Sequence, residues 1–189
     1  MRISETELPG VLLLEPVVNR DDRGYLFESF KAETLERAGL PRFVQENQTF
    51  SVRHTLRGLH YQLERPQAKL IRVLTGAIYD VAVDIRRGSP TFGKWVAEVL
   101  SAENRRQIYI PPGFAHGFCV IDEAAEVLYK CGDYYSGPKD QRGVLFSDPR
   151  LAIPWPTSTP LVSPKDQALL SLTDLPAEAL PTYPTDRSI

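Results

Sequence analysis

The sequence predicts a mainly β fold, a sandwich or a barrel, and three observations carry that reading. Short runs rich in Val, Ile and Tyr recur between residues 43 and 135, at a spacing of about ten residues. Turn signals separate the runs. Only one stretch of the chain reads as a convincing helix.

That helix is "KAETLERAG", residues 31 to 39, where Leu35 and Leu40 keep a helical period and Gly39 is a natural stop. The strands that follow are "KLIRVLTG", "AIYDVAVDI", "KWVAEVL", "RQIYI" and "EVLYKCGDYY", punctuated by "TG", "RRGSP", "SAEN" and "PPG". Within "DVAVDI", alternation puts Val81, Val83 and Ile85 on one face and Asp80, Ala82 and Asp84 on the other. From this strand alone the polar face is expected to meet solvent. A wet, ligand-holding barrel mouth is the alternative. From residue 149 onward the chain carries half of its 16 prolines, so no central strand is expected there. Leu151, Ile153, Trp155, Leu161 and Val162 make that tail too apolar for a linker, and it is expected to wrap over the barrel as part of a single domain spanning 1–189.

Bulk composition narrows the function. A net charge of −2 with 24% charged residues gives no electrostatic case for nucleic acid or an anionic membrane. The apolar run in "MRISETELPGVLLLEP" is short and stops at Glu15, so neither a signal peptide nor a membrane span is expected. Cys119 and Cys131 make no disulfide framework; free, buried thiols and work in the cytoplasm are expected.

Two histidines frame the chemistry: His60 in "LRGLHYQ" and His116 in "PPGFAHGF". A metal site would add His54, but Gln62 follows His60 where a better ligand would be needed, and no acid or Cys is spaced to help, so no metal is expected. The acid–base reading takes a strand-held histidine as base near neutral pH. It needs an orienting carboxylate (Asp84 or Asp166), a cation for an oxyanion (Lys69) and an acid (Tyr129). Arg23, Arg57 and Lys165 could hold phosphates. Spacing alone leaves open whether His60 is a catalyst or a core histidine, and whether Tyr129 is more than a strand aromatic.

The motifs "DDRGYLFESF", "VQENQTFS", "LRGLHYQ", "QAKLIRVLTGAIYDVAVDIRRGSPTFGKW", "YIPPGFAHGF", "VLYKCGDYY" and "LVSPKD" occur together in this order. Over residues 8 to 170 the chain thereby resembles the dTDP-4-dehydrorhamnose 3,5-epimerase family. The resemblance implies a cupin-like jelly-roll β-barrel with a few short helices, working as a homodimer without metal or cofactor. The implied substrate is a dTDP-4-keto-6-deoxy sugar nucleotide, inverted at C3 and C5 by enolisation beside the C4 ketone on the way to dTDP-L-rhamnose. By the family pattern His60 is the base, oriented by Asp166 with Asp84 as the alternative, while Tyr129 is the acid and Lys69 attends the ketone. Arg23, Glu28, Gln45, Asn47, Arg57, His116 and Lys165 match substrate contacts, Tyr135 matches the ring that stacks on thymine, and the binding acid falls at Asp140 or its position at Gln141.

The chain departs from the family at "SGPKDQRG", "FSDP" and "CGDYY", and in its proline-rich end. Those departures leave room for an epimerase of one centre, a ketoisomerase of a related sugar, or a cupin that only binds a sugar nucleotide. The "VLLLEP" strand is the segment suspected of crossing to a partner.

Overall fold

The computed structural model describes residues 1–184. The chain opens with β1 (Arg2–Glu5), β2 (Leu12–Glu15), β3 (Val18–Asp21) and β4 (Gly24–Phe27), followed by α1 (Ala32–Arg37). The central strands are β5 (Gln45–Val52), β6 (Thr55–Gln62), β7 (Lys69–Thr75), β8 (Ala77–Asp84) and β9 (Trp95–Ser101). Then come β10 (Gln107–Ile110), β11 (Phe114–Val120), β12 (Ala124–Cys131), β13 (Gln141–Gly143), β14 (Leu161–Val162) and the single-turn α2 (Pro164–Gln167). The fold is mainly β with short helices, as the strand pattern predicts.

Two sheets face each other. One runs β1-β2-β10-β7-β12-β5 and the other β13-β6-β11-β8-β9, with β14 added parallel to β6. Between them lies the central core, where Ile71, Val73 and Val127 of the first sheet meet Ile78, Ala82, Phe118 and Val120 of the second. Helix α1 and the turn after it cover the outside of the first sheet, laying Leu35 and Leu40 against Leu14, Leu70 and Tyr109. Its Gly39 stop has a positive φ of 81°, a conformation glycine adopts at little cost.

The tail covers the outside of the second sheet. Leu151, Ile153, Leu172 and Leu180 bury Val81, Val83 and Ile85, and the Tyr61 hydroxyl anchors the strap by donating to the Ala179 carbonyl at 2.7 Å. With both faces of β8 covered, the expectation that its polar face meets solvent fails: Asp80 and Asp84 are both fully buried. Strand β2 pairs with β1 on one side and β10 on the other, so "VLLLEP" is an internal strand with both edges occupied. Cys119 and Cys131 are buried and unlinked. No helix among the described residues is long and apolar enough to cross a membrane.

Candidate active site

A cavity of about 670 Å³ opens at one end of the barrel, between β5 and β12 on one wall and β6 and β11 on the other. Its geometry begins with two glycines. His60 on β6 lies opposite His116 on β11, and the register slips immediately beyond that pair. A Cβ on Gly58 would sit 2.6 Å from the Gly117 Cα and from the His116 carbonyl oxygen, and one on Gly117 would sit 2.7 Å from the Arg57 carbonyl. No real side chain tolerates such contacts. "RGLH" and "HGF" therefore carry glycine because the two backbones touch there, which brings both imidazoles to the cavity wall.

His60 acquires its partner from far along the chain. In α2, Pro164 opens the turn and the Ser163 hydroxyl accepts the Asp166 N–H, a cap that fixes the orientation of the turn. The result sets Asp166 Oδ1 2.6 Å from His60 Nε2. Burial alone would raise the Asp166 carboxyl. The His60 bond and charge, with the Gly58 N–H and Ser163, outweigh burial and hold the pKa below its ordinary value. His116 is bound separately, its Nε2 2.9 Å from Asp80 Oδ2. Each imidazole is thus committed to its own carboxylate, and among the described residues no three His, Cys, Asp or Glu side chains gather as a metal-holding group.

Across the cavity stand Tyr129 and Lys69. Tyr129 lies opposite Asn47 in the β12–β5 pairing, and burial is the main cause of its raised hydroxyl pKa. Lys69 lies opposite Cys131; burial depresses its ammonium pKa, while the nearby Asp80 pulls it back up. Arg57, whose Nε donates to Ser51 Oγ at 3.0 Å, and the exposed Lys165 of α2 supply positive charge to the same cavity. Gln45 donates to Asn47 Oδ1 at 3.2 Å and accepts the Tyr135 N–H at 2.9 Å, which holds the half-exposed Tyr135 ring at the rim.

The structure brings together ten of the fourteen residues singled out from sequence and leaves four outside, by comparison with the cavity lining. Asp84 is not an orienting carboxylate for His60. It accepts from Arg86 Nη2 at 2.7 Å, Thr91 Oγ1 at 2.6 Å and Ser89, all near its own strand end. Asp140 is turned away from the cavity, capping the N–H groups of Leu63, Glu64 and Arg65 at 3.1, 2.7 and 3.2 Å. Gln141 borders the cavity instead, paired with Gln62 of β6. Arg23 and Glu28 sit on and just after the β3–β4 hairpin, exposed, with Arg23 paired to Asp21. Sequence reasoning missed Asp80, although an acid on the inward face of "DVAVD" was the available signal.

A part-exposed histidine bound to a buried carboxylate on one wall, with a phenol and an ammonium on the other, is an arrangement for moving a proton at a carbon beside a carbonyl. Comparison with known proteins agrees. The family model for dTDP-4-dehydrorhamnose 3,5-epimerase matches residues 5–174. A dTDP-4-dehydrorhamnose 3,5-epimerase of Neisseria gonorrhoeae is 53% identical over 170 residues, 89% of this chain, which spans about half that relative (52%). A dTDP-4-dehydrorhamnose 3-epimerase of Streptomyces niveus is 39% identical over 193 residues, all of this chain and 93% of that one. The crystal structure of the Legionella pneumophila 3,5-epimerase, in complex with dTDP-4-keto-L-rhamnose, superposes with a TM-score of 0.93 at 47% identity, covering 97% of this chain and 98% of that one. The chain belongs to the dTDP-4-dehydrorhamnose 3,5-epimerase family.

Proposed function

We propose that this protein inverts C3 and C5 of dTDP-4-dehydro-6-deoxy-D-glucose, giving dTDP-4-dehydro-L-rhamnose. The observation that carries the reading is the 2.6 Å bond between His60 and Asp166, in the same cavity as Tyr129 and Lys69. Nε2–H donates to Asp166, so Nδ1 carries the lone pair that takes a proton from carbon. The C–H electron pair moves toward the C4 oxygen, where Lys69 meets the growing negative charge. His60 stands on the sheet opposite that of Tyr129. A proton from Tyr129 therefore arrives on the other face of the ring carbon, and the centre inverts. Burial keeps the phenol protonated for that step. The carbon returns to its original oxidation state, so the step calls for no redox cofactor. Arg57 and Lys165 suit the diphosphate, and Tyr135 the thymine ring. A sugar nucleotide substrate places the work in the cytoplasm.

We further infer a homodimer in which the β3–β4 hairpin serves a second copy. Arg23 and Glu28 match substrate contacts in the family pattern yet lie outside their own cavity, and the hairpin exposes Leu26 at 75% and Tyr25 at 56%. Mixing equal amounts of Arg23→Ala and His60→Ala proteins should then restore about a quarter of wild-type activity at full exchange, since about half of the random dimers are mixed and each of those carries one intact site of its two.

Proton exchange in D2O tests the main reading. With the dTDP-4-keto-6-deoxy sugar, deuterium should enter at both C3 and C5 by NMR, and His60→Ala should abolish both. Exchange at one carbon would make this a single-centre epimerase; exchange at neither would overturn the proposal.

A further inference from the structure

Few of the side chains that line the cavity are purely hydrocarbon. Leu161 lies at the rim and Leu56 beside Arg57, but Phe118 and Val127 belong to the barrel's central core and still border the cavity. Each stands two residues from a group at the reacting end. Phe118 follows His116 on β11 and Val127 precedes Tyr129 on β12, so strand alternation turns each pair to the same side. The Phe118 and His116 rings are 6.4 Å apart, and Tyr129 packs against the cluster that contains Phe118 and Val127. The Phe118 ring therefore brings the edge of the core to the wall between His116 and Tyr129, with Val127 packed behind it. Phe118 is 4% exposed and Val127 fully buried, and neither side chain has a hydrogen-bonding group.

We propose that the Phe118 ring, backed by Val127, seats the C6 methyl group of the sugar and sets a preference for 6-deoxy over 6-hydroxy sugars; the inference rests on the epimerase reading above. The methyl is attached to C5, one of the two carbons to be inverted, so it must lie beside the proton-transferring groups. It is also the one substituent of a 4-keto-6-deoxyhexose that ends in carbon. The remaining oxygens can find partners among the imidazole, amide, phenol and ammonium groups of the wall, whereas the methyl gains only from apolar surface. A hydroxyl in its place would be buried there without a partner. The same contact also helps fix the ring's rotation about its glycosidic bond, and so which carbon is offered to His60.

Calorimetric binding of two sugars that differ only at C6 tests this without turnover: dTDP-6-deoxyglucose and dTDP-glucose, neither of which carries the C4 ketone. The 6-deoxy sugar should bind about 10- to 100-fold more tightly, the range expected for a hydroxyl left unpaired in an apolar seat. Phe118→Tyr adds a hydroxyl at the seat and should narrow that ratio by about tenfold. Val127→Thr, which sets a hydroxyl directly behind the ring, serves the same purpose should the tyrosine variant not fold. Equal dissociation constants in the wild type would overturn the seat while leaving the epimerase reading intact, and an undiminished ratio in a folded variant would do the same. Failure of both sugars to bind would overturn the epimerase reading and this inference together.

Discussion

His60 and Asp166 are 106 residues apart in sequence, yet their side chains meet at 2.6 Å. One capped helical turn in a proline-rich tail accomplishes this, so the tail is part of the cavity wall as well as a cover for the second sheet. The bond fixes which imidazole nitrogen is free.

Asp166→Asn should therefore lower kcat by about 10²- to 10³-fold, because the amide no longer holds the imidazole in the same protonation pattern, with KM little changed. Stability gives a second readout. The carboxyl's pKa is held below its ordinary 3.8, so its contribution is present above that value and is lost as pH falls through the depressed one. Urea unfolding should show wild type more stable than the asparagine variant by about 2 kcal/mol at pH 7, the scale of one charged hydrogen bond, with the margin closing on acidification below the ordinary carboxylate range.

Tyr129→Phe separates the two halves of inversion. His60 remains able to remove a proton and return it on the same face, so deuterium should still enter the sugar while inverted product falls by about 10²-fold or more. Loss of exchange and inversion in parallel would show that Tyr129 acts in the abstraction step.

The strands were legible from alternation and turn residues, because β-branched runs bounded by Gly, Pro and Asn have few other uses. The acids were harder. Asp84 and Asp80 occupy the same face of β8, and nothing in that strand says which one meets a histidine from β11; only the β8–β11 pairing decides it for Asp80. Asp140 and Gln141 are neighbours, and the turn folds the charged one inward to cap three backbone N–H groups. The polar face of β8 was misread for a related reason: a single strand cannot show that a tail beginning more than sixty residues later covers its other side. The glycines of "RGLH" and "HGF" marked the site early, but their meaning lies in a contact between strands that sequence spacing does not reveal.

Lys69 should show function held against stability. Burial depresses its pKa from 10.5, so between the depressed and the ordinary value the unfolded chain binds more protons than the folded one. Stability from this group therefore rises with pH across that window and is smallest below it. Lys69→Met removes the buried ammonium at similar length. It should raise the free energy of urea unfolding at pH 7 by about 1 kcal/mol while reducing turnover at least about 10²-fold, and its advantage should shrink as pH approaches 10.5. A variant that is both inactive and less stable would show that Lys69 contributes more through its attraction to Asp80 than it costs in burial.

Gly58→Ala tests whether the close approach of β6 and β11 is the basis of the site. Gly58 has φ of +117°, and its added methyl would lie 2.6 Å from the Gly117 Cα and the His116 carbonyl oxygen, both backbone atoms without freedom to swing aside. Strain and overlap together should cost about 3 kcal/mol or more of stability, enough to lower the thermal midpoint by about 6 °C or more in a domain of this size. Activity should fall further than stability alone requires, because relief of the overlap moves the strands that carry His60 and His116. The comparison is made well below the variant's own melting temperature, where the folded fraction is complete. There kcat should remain depressed by about tenfold or more, since a shift of about 1 Å at the base is costly to proton transfer. Gly24→Ala is the control: it also has a positive φ, of +133°, but its added methyl meets nothing within 4 Å. It should lose stability through backbone strain while leaving kcat per folded molecule unchanged in the cavity of its own subunit, a quantity read in the proposed dimer by mixing with excess His60→Ala protein so that the partner's hairpin is wild type.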